Sequence, residues 1–175
     1  MLVAINFPTK FINCFIFICV MRLRKPRKDE FEIYKKLEIE FYSHHKPYKT
    51  LLQDVDPKKR DLKKEFFQLI NEHNSFFRFV ELNNEVAGYI YGVIKTAAEN
   101  EKGWKKYADL NSIVVTKKFR NQGLAEYMTK EFFSWLKSKK IKYVEVSCNV
   151  KNDSILKFNK KLGFQEQHIK FGKIL

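Results

Sequence analysis

Cysteine, proline, glycine and arginine are all scarce in this 175-residue chain. Three cysteines, Cys14, Cys19 and Cys148, form no CxxC pair and no even set of bridges, which excludes a disulfide framework and points to a reducing compartment, the cytoplasm. Four prolines and six glycines exclude a collagen and a Pro/Gly-rich low-complexity chain. The four histidines, His44, His45, His73 and His168, show neither HExxH nor Cys/His ligand spacing, so no metal site is expected. No long hydrophobic run is present either. The longest, residues 11–20 (FINCFIFICV), stops well short of the ~20 apolar residues that a membrane-spanning helix needs. No basic region leads it and no small-x-small cleavage site follows, so it does not read as a signal peptide. Three readings of residues 1–20 stay open: an extra element packed on the core, a weak interfacial anchor beside the basic residues from Arg22 to Lys28, or a stretch upstream of a natural start at Met21.

What is present is charge and apolar bulk in domain proportions. Hydrophobic residues make up 45% and charged residues 31%, enough at this length for one domain with a real core, over residues 21–175. Lys and Arg number 34 against 20 Asp and Glu, a net charge of +14. Only Arg22, Arg24, Arg27, Arg60, Arg78 and Arg120 supply guanidinium groups. Specific nucleic-acid readers lean on arginine forks, so a lysine excess spread along the chain fits nonspecific attraction to polyanions, an anionic ligand or biased composition, and no specific nucleic-acid partner is expected.

Periodicity gives the order β α α β β β α β α β. Residues 21–26 are extended. Asp29 offers an N-cap to a helix with Phe31, Tyr34, Leu37 and Phe41 on one face. Residues 42–56 read as loop, and Pro57 opens a second helix with Leu62, Phe66, Leu69 and Ile70 as its stripe. Residues 76–82 and 86–96, joined by Asn83-Asn84, make a hairpin, in which Gly88 and Gly92 mark a bulge or a close backbone approach. A strand over 107–115 leads through a charged loop into the clearest helix, 124–139, lined by Leu124, Met128, Phe132, Trp135 and Leu136. A strand over 143–148, a short helix over 153–162 ending at Gly163, and one or two closing strands within 164–175 complete the chain. The hairpin requires antiparallel strands and the strand–helix–strand segment a parallel pair, which predicts a mixed, mostly antiparallel α+β sheet with helices on both faces.

The informative segment is residues 113–125, IVVTKKFRNQGLA. A strand runs through a basic loop into a helix start, where unpaired N–H groups and the helix dipole favour an anion. Gly123 admits close backbone approach and Ala125 stays small. This suits a phosphate or pyrophosphate, although it is neither GxxxxGK[ST] nor GxGxxG. The plainer alternative is a basic turn before a helix.

Arg120-Asn121-Gln122-Gly123-Leu124-Ala125 resembles the [RQ]-x-x-G-x-[GA] motif of the GCN5-related N-acetyltransferase (GNAT) family, and Val115 to Phe119 resembles the V-x-P-x-[FY] that precedes it, with Lys117 in place of the frequent proline. A second block, Val144, Val146, Asn152, Phe158 and Leu162-Gly163-Phe164, follows at family spacing. The resemblance implies acetyl-CoA as co-substrate, with backbone amides of Asn121, Gln122, Gly123, Leu124 and Ala125 around its pyrophosphate and Arg120 beside it. It implies that the backbone at Ile113 and Val115 pairs with the pantetheine arm, that the strands on either side of the thioester splay, and that Asn152 bonds the pantetheine or orders its loop. The acceptor would be a primary amine, on a small molecule, a protein N-terminus or a lysine, attacking directly in a ternary complex.

The amine must lose a proton, and the thiolate must be stabilised as it leaves. Asp109, Asn111, Ile113 and Val115 share one strand face by period-two geometry, which makes Asp109 the candidate base, through a water, with Glu81 and Glu85 as reserves. The family's frequent acidic Tyr falls at Asn159, which donates a hydrogen bond but no proton at neutral pH. That departure leaves room for a second reading, a noncatalytic acyl-CoA-binding module; a basic nucleic-acid-associated protein is a third. Tyr89 and Tyr91 lie on the neighbouring strand. The loop from Tyr42 through His44, His45 and Pro47 to Tyr48 is the expected acceptor wall, and the net charge favours neutral or acidic acceptors over polyamines and aminoglycosides. A monomer or a homodimer is expected.

Overall fold

The computed structural model describes residues 20–48, 56–97, 104–169, 171 and 173. The expectations for residues 1–19 and for the middle of the 42–56 loop lie outside the described residues. Five strands form one sheet in the order β1-β2-β3-β4-β5. They are β1 (Met21–Arg24), β2 (Ser75–Leu82), β3 (Glu85–Thr96), β4 (Lys106–Val115) and β5 (Val144–Val146). β1 to β4 run antiparallel, and β4 pairs β5 in parallel across the helix between them. The mixed, mostly antiparallel sheet expected from the sequence is therefore present.

Its two faces carry separate cores. On one, α3 (Leu124–Ser138) lays Leu124, Met128, Phe132 and Leu136 against Val80, Ile90, Ala108 and Leu110. On the other, α1 (Phe31–His45) and α2 (Leu62–Asn71) bring Tyr34, Leu37 and Phe66 onto Phe77, Phe79, Tyr89 and Val114. The 3–4 spacing in each helix and the period of two in each strand assign these faces, as the sequence predicts. Gly88 and Gly92 allow close approach. A Cβ on Gly88 would stand 2.0 Å from the Val114 carbonyl oxygen, and one on Gly92 would stand 2.5 Å from the Phe132 ring.

Several boundaries differ from expectation. Asp29 does not cap α1. A turn of 3-10 helix (Lys28–Glu30) precedes it, and the Glu30 carboxylate accepts from the Arg27 N–H at 2.7 Å. α1 continues through His45, so Tyr42 to His45 are helical, not loop. Pro57 opens only a 3-10 turn, and Asp61 caps α2 by accepting from the Lys64 N–H at 3.0 Å. Among the described residues of 164–175 no strand forms. Phe164 packs on Phe133, but four polar residues follow before Ile169, and Ile169 and Phe171 are exposed, so no alternating apolar face is available to bury.

The bulge in β4 overturns one geometric expectation. Tyr91 pairs Ser112 and Gly92 pairs Leu110, so Asn111 is an extra residue. It shifts the alternation: Ala108 and Leu110 face α3 before it, Ile113 and Val115 face α3 after it, and Val114 faces α1 and α2. Asp109 therefore does not share a face with Ile113 and Val115.

Arg24 ties β1, β2 and the entry to α1 together. Its guanidinium reaches Glu30 at 2.6 and 2.7 Å and Glu81 at 2.5 Å, and both carboxylates are nearly out of solvent. The Arg24 hydrogen bond holds the Glu30 carboxyl below its usual value. A depressed carboxyl stabilises the fold above its unfolded pKa, and that contribution is lost as pH falls through the folded value. Arg24→Met leaves Glu30 buried without this partner. It should cost about 3–5 kcal/mol near neutral pH. In urea unfolding the deficit should narrow toward about pH 4, where the unpaired carboxyl takes up a proton; a pH-independent deficit would contradict this account.

Candidate active site

The strand pair β4/β5 opens five residues before the loop that leads into α3. Pairing runs only over Ala108–Val144, Asp109–Glu145 and Leu110–Val146, while β4 continues five residues further to Val115. On the β3 side, the Thr116 N–H bonds Ala87 O at 2.9 Å. By strand alternation, the backbone groups of Ile113 and Val115 then point to the open side. Arg120 Nε donates to Val115 O at 3.0 Å, leaving the Val115 N–H and both polar groups of Ile113 along that edge.

The loop past Val115 turns through a 3-10 segment (Lys117–Phe119) anchored by buried Phe119. Asn121 and Gly123 take positive φ, at 61° and 79°. The first intrahelical bond of α3 runs from Tyr127 N to Gly123 O, 2.9 Å, so the N–H groups of Leu124, Ala125 and Glu126 have no acceptor within the helix. Leu124 is buried and anchors the turn, and nothing lies within 4 Å of where a Cβ on Gly123 would project. Arg120 is held by α1: its guanidinium stands 3.5 Å from Glu40 and 3.3 Å from His44 Nδ1, and Glu40 also accepts from the Lys117 N–H. His44 is pushed down by burial and then by the Arg120 charge. Gln122 Nε2 lies 3.4 Å from Lys118 O.

Beyond the opening, α4 (Asp153–Lys161) starts at Asn152, whose Oδ1 accepts from the Ile155 N–H at 3.3 Å and from Ser154 Oγ at 2.8 Å. Asn159 is buried, and its Nδ2 lies 3.7 Å from Cys148 Sγ, on the segment that leaves β5. Asp109 lies within the paired stretch of β4, and its Oδ2 accepts from Lys95 Nζ at 2.5 Å. The reserve carboxylates are also engaged, Glu81 with Arg24 and Glu85 with Lys118.

A cavity of about 730 Å³ lies on the other face of the bulge, between α1, α2, β3 and β4. Asn111 and Ser112 form its β4 wall, Tyr89 and Tyr91 its β3 wall, and Tyr34, Glu38 and Phe41 its α1 wall. Arg60, Glu65 and Glu72 add charge at the α2 side, so three carboxylates meet one guanidinium. Of the expected acceptor loop, none of Tyr42, His44, His45, Pro47 or Tyr48 lines the cavity. The sequence reading missed Glu38, Arg60, Glu65 and Glu72. The signal for Glu38 was available: a carboxylate directly beside Leu37 on an otherwise apolar helix face.

A cradle of backbone amides at the start of α3, an open strand edge leading to it and a cavity behind the bulge agree with a direct sequence comparison. A model of the acetyltransferase (GNAT) family matches residues 32–164. The chain belongs to the acetyltransferase (GNAT) family. It is an N-acetyltransferase that uses an acyl-CoA as co-substrate. The fold is shared with solved structures of low sequence identity. The aminoglycoside N-acetyltransferase AAC(6')-Iy in complex with CoA has a TM-score of 0.69 at 16% identity, covering 89% of this chain and 95% of that one. The aminoglycoside 6'-N-acetyltransferase AAC(6')-Ih from Acinetobacter baumannii has a TM-score of 0.67 at 16% identity over 89% and 99%. A tetramutant of the BH1408 protein from Bacillus halodurans reaches 0.76 at 14% identity over 88% and 99%. A search of curated proteins finds no match. Among the described residues, no helix is long and apolar enough to cross a membrane.

Because Gly123 opens onto free space, Gly123→Glu should fold at a cost of about 1–3 kcal/mol for the positive φ, while its side chain and charge enter the anion cradle. Acetyl-CoA at 100 times Kd should stabilise the wild type by about 2.7 kcal/mol in a thermal-shift titration, and the variant by far less. Equal stabilisation of both would place the pyrophosphate elsewhere.

Proposed function

We propose that this N-acetyltransferase moves an acetyl group from acetyl-CoA to a primary amine bound in the 730 Å³ cavity, by direct attack in a ternary complex. The observation that carries the reading is the bulge at Asn111, which gives β4 an open edge on one side and a wall of the cavity on the other. In this reading, Ile113 and Val115 pair with the pantetheine arm. The amides from Asn121 to Ala125 receive the pyrophosphate, with Arg120 beside it. Asn152 keeps the loop before α4 in place. The thioester then lies at the splay, between the cavity and Asn159.

The groups at that junction support direct attack. Asn111, Ser112 and Asn159 offer hydrogen bonds to a polarised carbonyl or a departing thiolate. Asn159 Nδ2 would stabilise the thiolate, which takes its proton from the amine's own nitrogen. Asp109, reached along β4 from the bulge, is a candidate proton acceptor through a water. The solved relatives of this fold include an aminoglycoside acetyltransferase in complex with sisomicin, which makes a polyamine one member of the acceptor panel. The carboxylate-rich lining also favours a cationic acceptor, against the preference that net charge alone suggested.

The test is a CoA-release assay with acetyl-CoA and a panel comprising benzylamine, 1,4-diaminobutane, a peptide with a free N-terminus and sisomicin, with products identified by mass. A product heavier by one acetyl group and initial-rate lines that intersect are expected. Parallel lines would indicate an acetylated enzyme and remove the direct mechanism. Binding of acetyl-CoA without transfer to any member would favour the noncatalytic binding module.

A further inference from the structure

We propose that Glu38 receives the proton of the acceptor amine, relayed through the hydroxyl groups of Ser112 and Tyr89. The proposal rests on the N-acetyltransferase reading and adds the group that makes its nucleophile.

Glu38 is only 3% exposed, yet it belongs to the cavity wall. The Tyr89 hydroxyl donates to Glu38 Oε1, and Ser112 lines the same cavity, where its side chain acts on the Tyr89 hydroxyl and opposes the upward push of burial. Ser112 directly follows the bulged Asn111 and lines the cavity. Ser112, Tyr89 and Glu38 thus form a row of polar side chains from the bulge, where the thioester would lie, to a buried carboxylate, with the Tyr89–Glu38 hydrogen bond as its inner link.

The electrostatics give that chain a direction. The other Glu38 oxygen accepts from Arg60 Nη1 at 2.8 Å. Arg60 gives its Nε, at 2.9 Å, and its Nη2 to Glu65. One guanidinium is shared by two carboxylates, so the cluster carries a surplus negative charge, with Glu38 at its buried end and Arg60 and Glu65 partly in solvent. The groups facing Glu38 are Tyr34 on α1, Arg60 and Glu65 at α2, and Tyr89 on β3. Burial pushes both tyrosines up, so they stay neutral. A neutral hydroxyl can accept one proton and pass on another without ionising. Both carboxylates face a cation, but Arg60 divides its hydrogen bonds between Glu38 and Glu65, whereas Lys95 Nζ donates to Asp109 at 2.5 Å.

The step balances. One N–H bond of the ammonium breaks and an O–H bond forms at Ser112. The Ser112 proton moves to Tyr89, and the Tyr89 proton moves to Glu38. The freed nitrogen lone pair attacks the thioester carbon. When the C–S bond breaks, the second amine proton goes to the sulfur, and Glu38 later releases its proton to solvent.

The experiment uses Glu38→Gln, Tyr89→Phe and, for comparison, Asp109→Asn, each first shown to be folded and to bind acetyl-CoA as the wild type does. Two probes separate proton removal from architecture: benzylamine, an ammonium near neutral pH, and 2,2,2-trifluoroethylamine, which is largely free base there. With benzylamine, Glu38→Gln and Tyr89→Phe should lower kcat by about 10²–10⁴-fold at low pH, with the deficit shrinking between about pH 6 and 9 as free amine appears. With trifluoroethylamine both should stay within a few-fold of wild type. A loss equal for both amines at every pH would mean a structural role and overturn the proposal. So would an unaffected Glu38→Gln, or the same pattern appearing only in Asp109→Asn. Failure of the parent reading looks different: a wild type that binds acetyl-CoA but acetylates neither amine nor any member of the acceptor panel removes both.

Discussion

Between Leu110 and Ser112, β4 carries one residue more than the strand it pairs with, and the position of every site element follows from that mismatch. The extra residue reverses which side chains face α3 and which face α1 and α2. Pairing with β5 ends at Leu110, just before it. Beyond the bulge, β4 pairs with β3 alone, and on its open side Arg120 takes the Val115 carbonyl. Unpaired edge groups need a partner, from water or from an extended ligand. In the proposed reading, an acyl-CoA arm added as a strand would supply such partners and bring its thioester to the point where the cavity opens on the opposite face.

A bulge can serve this purpose only if the sheet around it is held rigidly. The two cores do that. Phe132 lies over Gly92, and no larger residue could stand there without displacing the ring. Gly88 brings β3 equally close to the Val114 carbonyl. On the opposite face, Tyr34 stacks on Phe66 at 5.2 Å and meets Phe77 edge-on at 5.9 Å. With α3 seated this close, its N-terminus lies directly past the end of β4, so the anion cradle is a consequence of how the helix packs.

Much of this was legible in the sequence, and the reasons are physical. Helix stripes and strand alternation are periodic, so the faces of α1, α2 and α3, the hairpin and the parallel crossover could all be read from residue spacing. The cradle was legible because its chemistry is backbone chemistry, announced by one glycine between a strand and a strong helix. Gly92 marked a bulge or close approach at this point of the hairpin, but nothing in the ten residues of β4 showed that the extra residue is Asn111, and assuming an unbroken period of two there put Asp109 on the face of Ile113 and Val115. The closing strands were over-read from weak alternation. Glu38, Arg60 and Glu65 were missed because their meaning arises only when helix, loop and sheet converge; along the chain Glu38 and Arg60 are 22 residues apart.

Charge shows the same limit. A net charge of +14 suggests repulsion of cationic acceptors, but at physiological salt exposed charges are screened beyond about 8 Å. What an acceptor bound as proposed would meet is the lining: three carboxylates and one guanidinium, with Glu38 almost fully withdrawn from solvent. Lys117, Lys118 and Arg120 lie in the loop that leads from β4 to α3. In the proposed reading, a polyanionic CoA and a cationic amine are drawn to opposite sides of one strand. Because the bulge separates the two sides by a single residue, ligands of opposite charge would meet at the thioester without either site neutralising the other.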